Sequence, residues 1–72
     1  MATPSLHSTR PHGMPTRILL AEDDEDTRCV LAAGLRCDGH EVVEATNGVE
    51  ALELLRRAHE SGRLPDVIVS DL

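Results

Sequence analysis

Seventy-two residues without a single Phe, Tyr or Trp allow one small domain with an aliphatic core. The formal net charge of -6 argues against direct nucleic-acid binding, which needs a basic footprint. No stretch approaches the roughly 20 apolar residues of a membrane span, and no apolar run follows a basic start, so neither membrane contact nor a signal peptide is expected and the location expected is cytoplasmic.

Residues 1–16 form an expected disordered tail. They hold three of the prolines (Pro4, Pro11, Pro15) among scattered Ser, Thr and His, with no apolar periodicity. The run Arg17-Ile18-Leu19-Leu20-Ala21 then has the short, continuous apolar character of a strand buried on both faces. It leads straight into Glu22, Asp23 and Asp24. Asp24 and Asp26 offer N-cap oxygens to a helix over about 26–37, whose positive end suits the acidic run. Val30, Leu31, Gly34 and Leu35 fall at helical spacing and predict its buried stripe. Gly34 inside that stripe costs about 1 kcal/mol relative to Ala, and a close approach of helix to sheet is the expected return. Gly39 is a natural stop.

Glu41-Val42-Val43-Glu44-Ala45 follows as a second strand, whose flanking glutamates suit a sheet edge. Thr46-Asn47-Gly48 turns the chain into a second helix, with Val49, Ala51, Leu52 and Leu55 as its apolar face. That face ends before Arg56 and Arg57, which suit a helix C-terminus. Ser61-Gly62-Arg63-Leu64-Pro65 is expected to be a loop, and Asp66 to Asp71 forms a third strand. Strand, helix, strand, helix, strand is the alternation of βαβ units around a parallel sheet. In such sheets, sites form beyond the carboxyl ends of the strands, where strand order reverses.

Two of these strands end in carboxylates: Glu22 and Asp23 after the first, Asp71 after the third. If the strands are neighbours, the three groups meet at one edge, and clustered carboxylates need a cation or a proton to coexist. One chemistry is binding of a hard divalent cation such as Mg²⁺ through one or two carboxylates. Another makes one aspartate a nucleophile toward phosphorus. The two are compatible, because a metal offsets the repulsion between carboxylate and phosphoryl group. The plain alternative is that the acidic run caps the helix and Asp71 merely ends a strand. No phosphate-cradling glycine loop of either common type follows the first strand. Asp24 and Asp26 have the spacing of a D-x-D phosphatase, but Asp26 belongs in the helix. Cys29 and Cys37 lack zinc spacing and are expected to be ordinary thiols in a reducing compartment. His7, His12, His40 and His59 show no ligand spacing.

Taken together, Arg17-Ile18-Leu19-Leu20-Ala21-Glu22-Asp23-Asp24, Gly39-His40-Glu41-Val42-Val43-Glu44-Ala45, Asn47-Gly48-Val49-Glu50-Ala51-Leu52 and Pro65-Asp66-Val67-Ile68-Val69-Ser70-Asp71-Leu72 resemble, in order, the blocks of a response-regulator receiver domain of two-component signalling. The resemblance implies a flavodoxin-like doubly wound parallel α/β sheet, of which only the βαβαβ N-terminal portion is present, so residues 17–72 are expected to be a receiver domain shortened at its C-terminus. It implies that Asp71 accepts a phosphoryl group and also ligates Mg²⁺, that Asp23 ligates Mg²⁺ directly, and that Glu22 does so directly or through water. Asp24 falls just after the pair and suits a helix cap. The implied donor is a phosphohistidine on a sensor histidine kinase, a phosphotransfer protein or a small acyl phosphate. Such a protein is not an enzyme beyond its own phosphorylation and dephosphorylation. Family features that follow the third strand, including the switch Ser/Thr, a lysine and an aromatic, have no counterpart here. Val67-Ile68-Val69 is therefore expected to form a bare apolar edge and the chain to be marginally stable. Two other readings stand beside this one: a receiver scaffold that serves only as a binding module or is non-functional, and a small metal-dependent phosphatase.

Overall fold

The computed structural model describes residues 15–71. The expected tail thus lies, but for its last two residues, outside the described residues, as does Leu72. Five elements follow one another: β1 (Arg17–Ala21), α1 (Glu25–Cys37), β2 (Glu41–Ala45), α2 (Gly48–Ser61) and β3 (Val67–Ser70). The strands form one parallel sheet in the order β2-β1-β3. Both of β1's neighbours run in register with it, from Ile18 opposite Val42 and Val67 to Ala21 opposite Ala45 and Ser70. The strand order reverses at β1, so the switch point lies between β1 and β3. The order is that with which the flavodoxin-like doubly wound sheet begins.

β1 is the centre of the core because it alone is paired on both sides. Its residues Ile18 to Ala21 are all buried, and Leu20 is 1% exposed. Alternation along the strand sends neighbours to opposite faces. Leu20 joins Val42 and Ala32, with Leu35 packed beside them, under α1. Leu19 and Ala21 join Ala45 under Ala51, Leu54 and Leu55 of α2. The result is three layers, helix on sheet on helix, with β2 at one edge as its glutamates suggested.

Both helical faces differ from those the spacing predicts. On α1, Val30 is 72% exposed, while Ala32 is buried and Leu35 partly so. The stripe that meets the sheet is Arg28, Ala32 and Leu35, rotated from the one through Val30 and Leu31, so a small residue touches the sheet where a large one was expected. On α2, Val49 and Leu52 are exposed and Leu54 takes the place expected of Leu52. α2 also runs past Arg56 and Arg57 to Ser61. Arg56 pairs with Glu53 and with Glu60, and Arg57 with Glu53, all at helical spacing. Gly62, at φ 73°, then closes the helix, its N–H going to Ala58 or His59 carbonyls.

Gly34 does not serve a close approach. A Cβ built there meets nothing within 4 Å. Gly34→Ala is thus expected to stabilise the fold by about 0.5–1 kcal/mol, the ordinary helix-interior difference, measured as a raised denaturant midpoint at unchanged slope. A fall in stability would show that the glycine has a packing role after all. β3 closes the sheet as an edge strand with Val67, Ile68 and Val69 at 45%, 53% and 37% exposure, the bare apolar edge anticipated from sequence.

Candidate functional site at the carboxyl edge of the sheet

The carboxyl ends of β1 and β3 bring the predicted residues together by backbone hydrogen bonds. Glu22 N–H donates to the Ala45 carbonyl of β2 at 3.0 Å, and Asp71 N–H donates to the Ala21 carbonyl of β1 at 3.2 Å. Glu22 and Asp71 thus follow side by side on the last paired residues of two adjacent strands, which lie about 4.8 Å apart in any parallel sheet. Asp23 comes next in the turn toward α1.

Their side chains differ in environment. Glu22 is 4% exposed, and its Oε2 accepts the Asp24 N–H at 3.0 Å. Asp23 and Asp71 are exposed. Asp24 caps α1: its Oδ2 accepts from the Thr27 hydroxyl at 2.6 Å and the Thr27 N–H at 2.8 Å. The hydroxyl first, then the amide, hold the Asp24 carboxyl below its ordinary pKa. Because the folded value is the lower one, the cap's contribution is complete above the unfolded value and is lost only as pH falls through the lowered one. Asp26, the other capping candidate, lies inside the first turn, where its charge suits the helix dipole.

The side chains of Glu22, Asp23 and Asp71 are not drawn into a cage: among the described residues, no three His, Cys, Asp or Glu groups gather closely enough to hold a metal ion. The donor chemistry nevertheless suits a hard cation. Mg²⁺ takes oxygen ligands, keeps several waters and uses one or two protein carboxylates. The two exposed aspartates provide that number, and the buried glutamate, already engaged by an amide, suits an outer position. Cys29 and Cys37 are both free and exposed on α1, away from any ligand set.

The sequence reading missed the basic partners of this edge. Arg28, whose side chain is 13% exposed, donates from Nη1 to the Glu22 carbonyl at 3.0 Å and from Nε to Glu44 Oε1 at 3.3 Å. Arg36 donates to Glu44 Oε2 at 2.9 Å and to the Val42 carbonyl at 3.0 Å. The signal was present: Arg28, Ala32 and Leu35 lie at i, i+4 and i+7, an arginine in line with the two residues that meet the sheet.

The proteins this chain is similar to are response regulators or transcriptional regulators by name. The chain is similar to response regulators over much of its length. It is 45% identical over 56 residues to the transcriptional regulatory protein PrrA of Mycobacterium tuberculosis, covering 78% of this chain and 22% of that protein. It is 39% identical over 56 residues to the response regulator receiver protein CpdR of Brucella abortus, covering 78% of this chain and 47% of that one. It is 46% identical over 44 residues to the two-component response regulator-like protein APRR7 of Arabidopsis thaliana, covering 61% and 6%. The chain thus spans less than half the length of these relatives. No family model matches it, and no solved structure gives a significant match. Among the described residues, no helix is long and apolar enough to cross a membrane.

Proposed function

We propose that this chain is the phosphoryl-accepting part of a response regulator in two-component signalling, acting in the cytoplasm, with Asp71 as acceptor. The observation that supports the reading is the Asp71 amide bonded to the Ala21 carbonyl: it puts the backbone of Asp71, an exposed residue, next to the strand that leads into Glu22 and Asp23, at the switch point of the sheet. An Asp71 carboxylate oxygen attacks the phosphorus of a phosphohistidine on a sensor histidine kinase or phosphotransfer protein. An oxygen–phosphorus bond forms, the phosphorus–nitrogen bond breaks, and the leaving imidazole takes a proton from water. With a small acyl phosphate the leaving group is a carboxylate instead. The exposure of Asp71 suits approach by a second protein.

Asp23 and Asp71 would hold Mg²⁺, with Glu22 outside them, and the ion would supply charge that offsets the repulsion between carboxylates and phosphoryl oxygens. The residues of the chain hold the geometry: β2 fixes the Glu22 amide, β1 fixes the Asp71 amide, and the Asp24 amide holds the Glu22 carboxylate away from solvent.

Incubation with a small acyl phosphate and Mg²⁺ is expected to add one phosphate as an acyl phosphate, released by hydroxylamine, and excess EDTA is expected to prevent it. Labelling that survives EDTA would remove the metal from the reading. A receiver scaffold used only for binding is the second reading, to which the lack of a gathered three-donor cluster among the described residues corresponds. It predicts no labelling and no Mg²⁺-dependent change that Asp23→Ala removes.

A further inference from the structure

The peptide joining Glu22 to Asp23 is held at its oxygen by a nearly buried arginine from the facing helix. That contact is unusual in its charge. A guanidinium beside a cation site repels the cation, so charge alone gives no reason to recruit it there. Its geometry gives one. The Glu22 carbonyl lies in the planar peptide unit that also contains the Asp23 nitrogen. Fixing the oxygen fixes the plane, and with it the direction in which the chain carries Asp23 out of the sheet.

We infer that Arg28 is a positioning residue for the acidic pair, setting the Glu22–Asp23 peptide so that the Asp23 carboxylate faces the site it shares with Asp71; this rests on the metal role proposed for Asp23. Arg28 reaches the carbonyl from the first turn of α1, where its own N–H bonds the Asp24 carbonyl at 2.9 Å. The guanidinium is held in turn by Glu44 at the end of β2, and Arg36 holds the other oxygen of Glu44. The planar fork therefore bridges α1, β1 and β2. Glu22 is gripped at three points: its amide by Ala45, its carbonyl by Arg28 and its carboxylate by the Asp24 amide. Only the second of these depends on a side chain from elsewhere in the fold. Arg36 is the natural control, because it shares Glu44 with Arg28 but its own carbonyl partner is Val42, further from the edge.

Arg28→Ala would mix two opposed effects on a cation, lost repulsion and lost geometry. Arg28→Lys keeps the charge and removes the fork, so it isolates the geometry. In the full chain, Mg²⁺ titrated by calorimetry is expected to bind about tenfold more weakly to Arg28→Lys, the scale on which loss of a group orienting a metal ligand acts. Arg36→Lys is expected to stay within about twofold. Without metal, hydrogen exchange at the Asp24 amide should quicken in Arg28→Lys and not in Arg36→Lys, a readout that activity does not enter. Unchanged Mg²⁺ affinity in Arg28→Lys overturns the inference whatever the exchange does. Failure of the unmodified chain to bind Mg²⁺ overturns instead the metal role of Asp23, and the inference with it. Should Arg28→Lys not fold, Glu44→Asp, which keeps the charge and shortens the anchor of the guanidinium, carries the same test: threefold weaker Mg²⁺ binding supports positioning, and unchanged binding overturns it.

Discussion

Asp71→Asn will take up no phosphate from a small acyl phosphate and Mg²⁺ under conditions in which the unmodified chain is labelled. The substitution keeps shape and volume, and it keeps the backbone amide that bonds the Ala21 carbonyl, so the sheet edge stays as it is. What it removes is the anionic oxygen. A carboxylate attacks phosphorus with a full negative charge, whereas a neutral amide is a poor nucleophile and gives no stable acyl phosphate. The expected effect is therefore loss of the product rather than a slower rate. Asp23→Ala should act differently: Asp71 keeps its nucleophile, but the metal dependence of labelling goes. Far-UV circular dichroism on both variants separates chemistry from folding. Equal labelling of Asp71→Asn and the unmodified chain would show that another of the carboxylates reacts, and the assignment of Asp71 would fall.

The strands were legible because a buried parallel strand leaves a simple trace. Ile18 to Ala21 is a run of apolar residues with polar residues on both sides. β1 and β2 have the predicted limits, and β3 is shorter by one residue at each end. That the carboxylate-ended strands are neighbours did not follow from the alternation of elements, which fixes no strand order; the order was implied only by the receiver resemblance, and the sheet has it. Helix faces were harder to read. Val30 and Leu31 are more apolar than Ala32, yet Ala32 meets the sheet, because a helix packed closely on a sheet puts a small residue at the contact and exposes larger ones at its flanks. Hydrophobicity ranks residues by transfer from water and does not register that geometric demand. The end of α2 was blurred rather than missed: a loop from Ser61 was expected, and the helix ends at Ser61. Arg56 and Arg57 suggested a terminus through the helix dipole, but Glu53 and Glu60 at helical spacing pair with them and carry the helix on to Gly62. Arg28 was missed because a single cation among acids is read as part of a solvated surface, whereas its apolar stem lies in the stripe of Ala32 and Leu35 and its head reaches the end of β1.

Leu20→Ala is expected to cost about 2–5 kcal/mol, the range for truncating a buried leucine where the surroundings relax only in part. Leu20 is the large side chain with least exposure, 1%, and it sits between the central strand and α1 among Val42, Ala32 and Leu35. Its neighbours are small or already engaged, and the chain has no aromatic ring that could swing into the void. A chain of this length has roughly 4–11 kcal/mol of stability in all by typical per-residue values. The exposed apolar edge at β3 argues for the low end of that range, so the substitution takes a third or more of the total and can leave the unfolded state dominant. Leu52→Ala is the matched control. It deletes the same atoms from a residue 70% exposed on α2 and should change stability by no more than about 0.5 kcal/mol. Denaturant unfolding followed by circular dichroism reads both, and equal costs for the two leucines would contradict the packing described for β1. The pair also bears on the site. Leu20 lies two residues before Glu22 on the strand whose end positions the acidic edge, so its loss should remove phosphate labelling together with the fold. Leu52→Ala should leave both intact. A Leu20→Ala chain that still labelled at Asp71 would mean that the acceptor does not depend on the β1 framework, and the link from buried core to acidic edge would have to be abandoned.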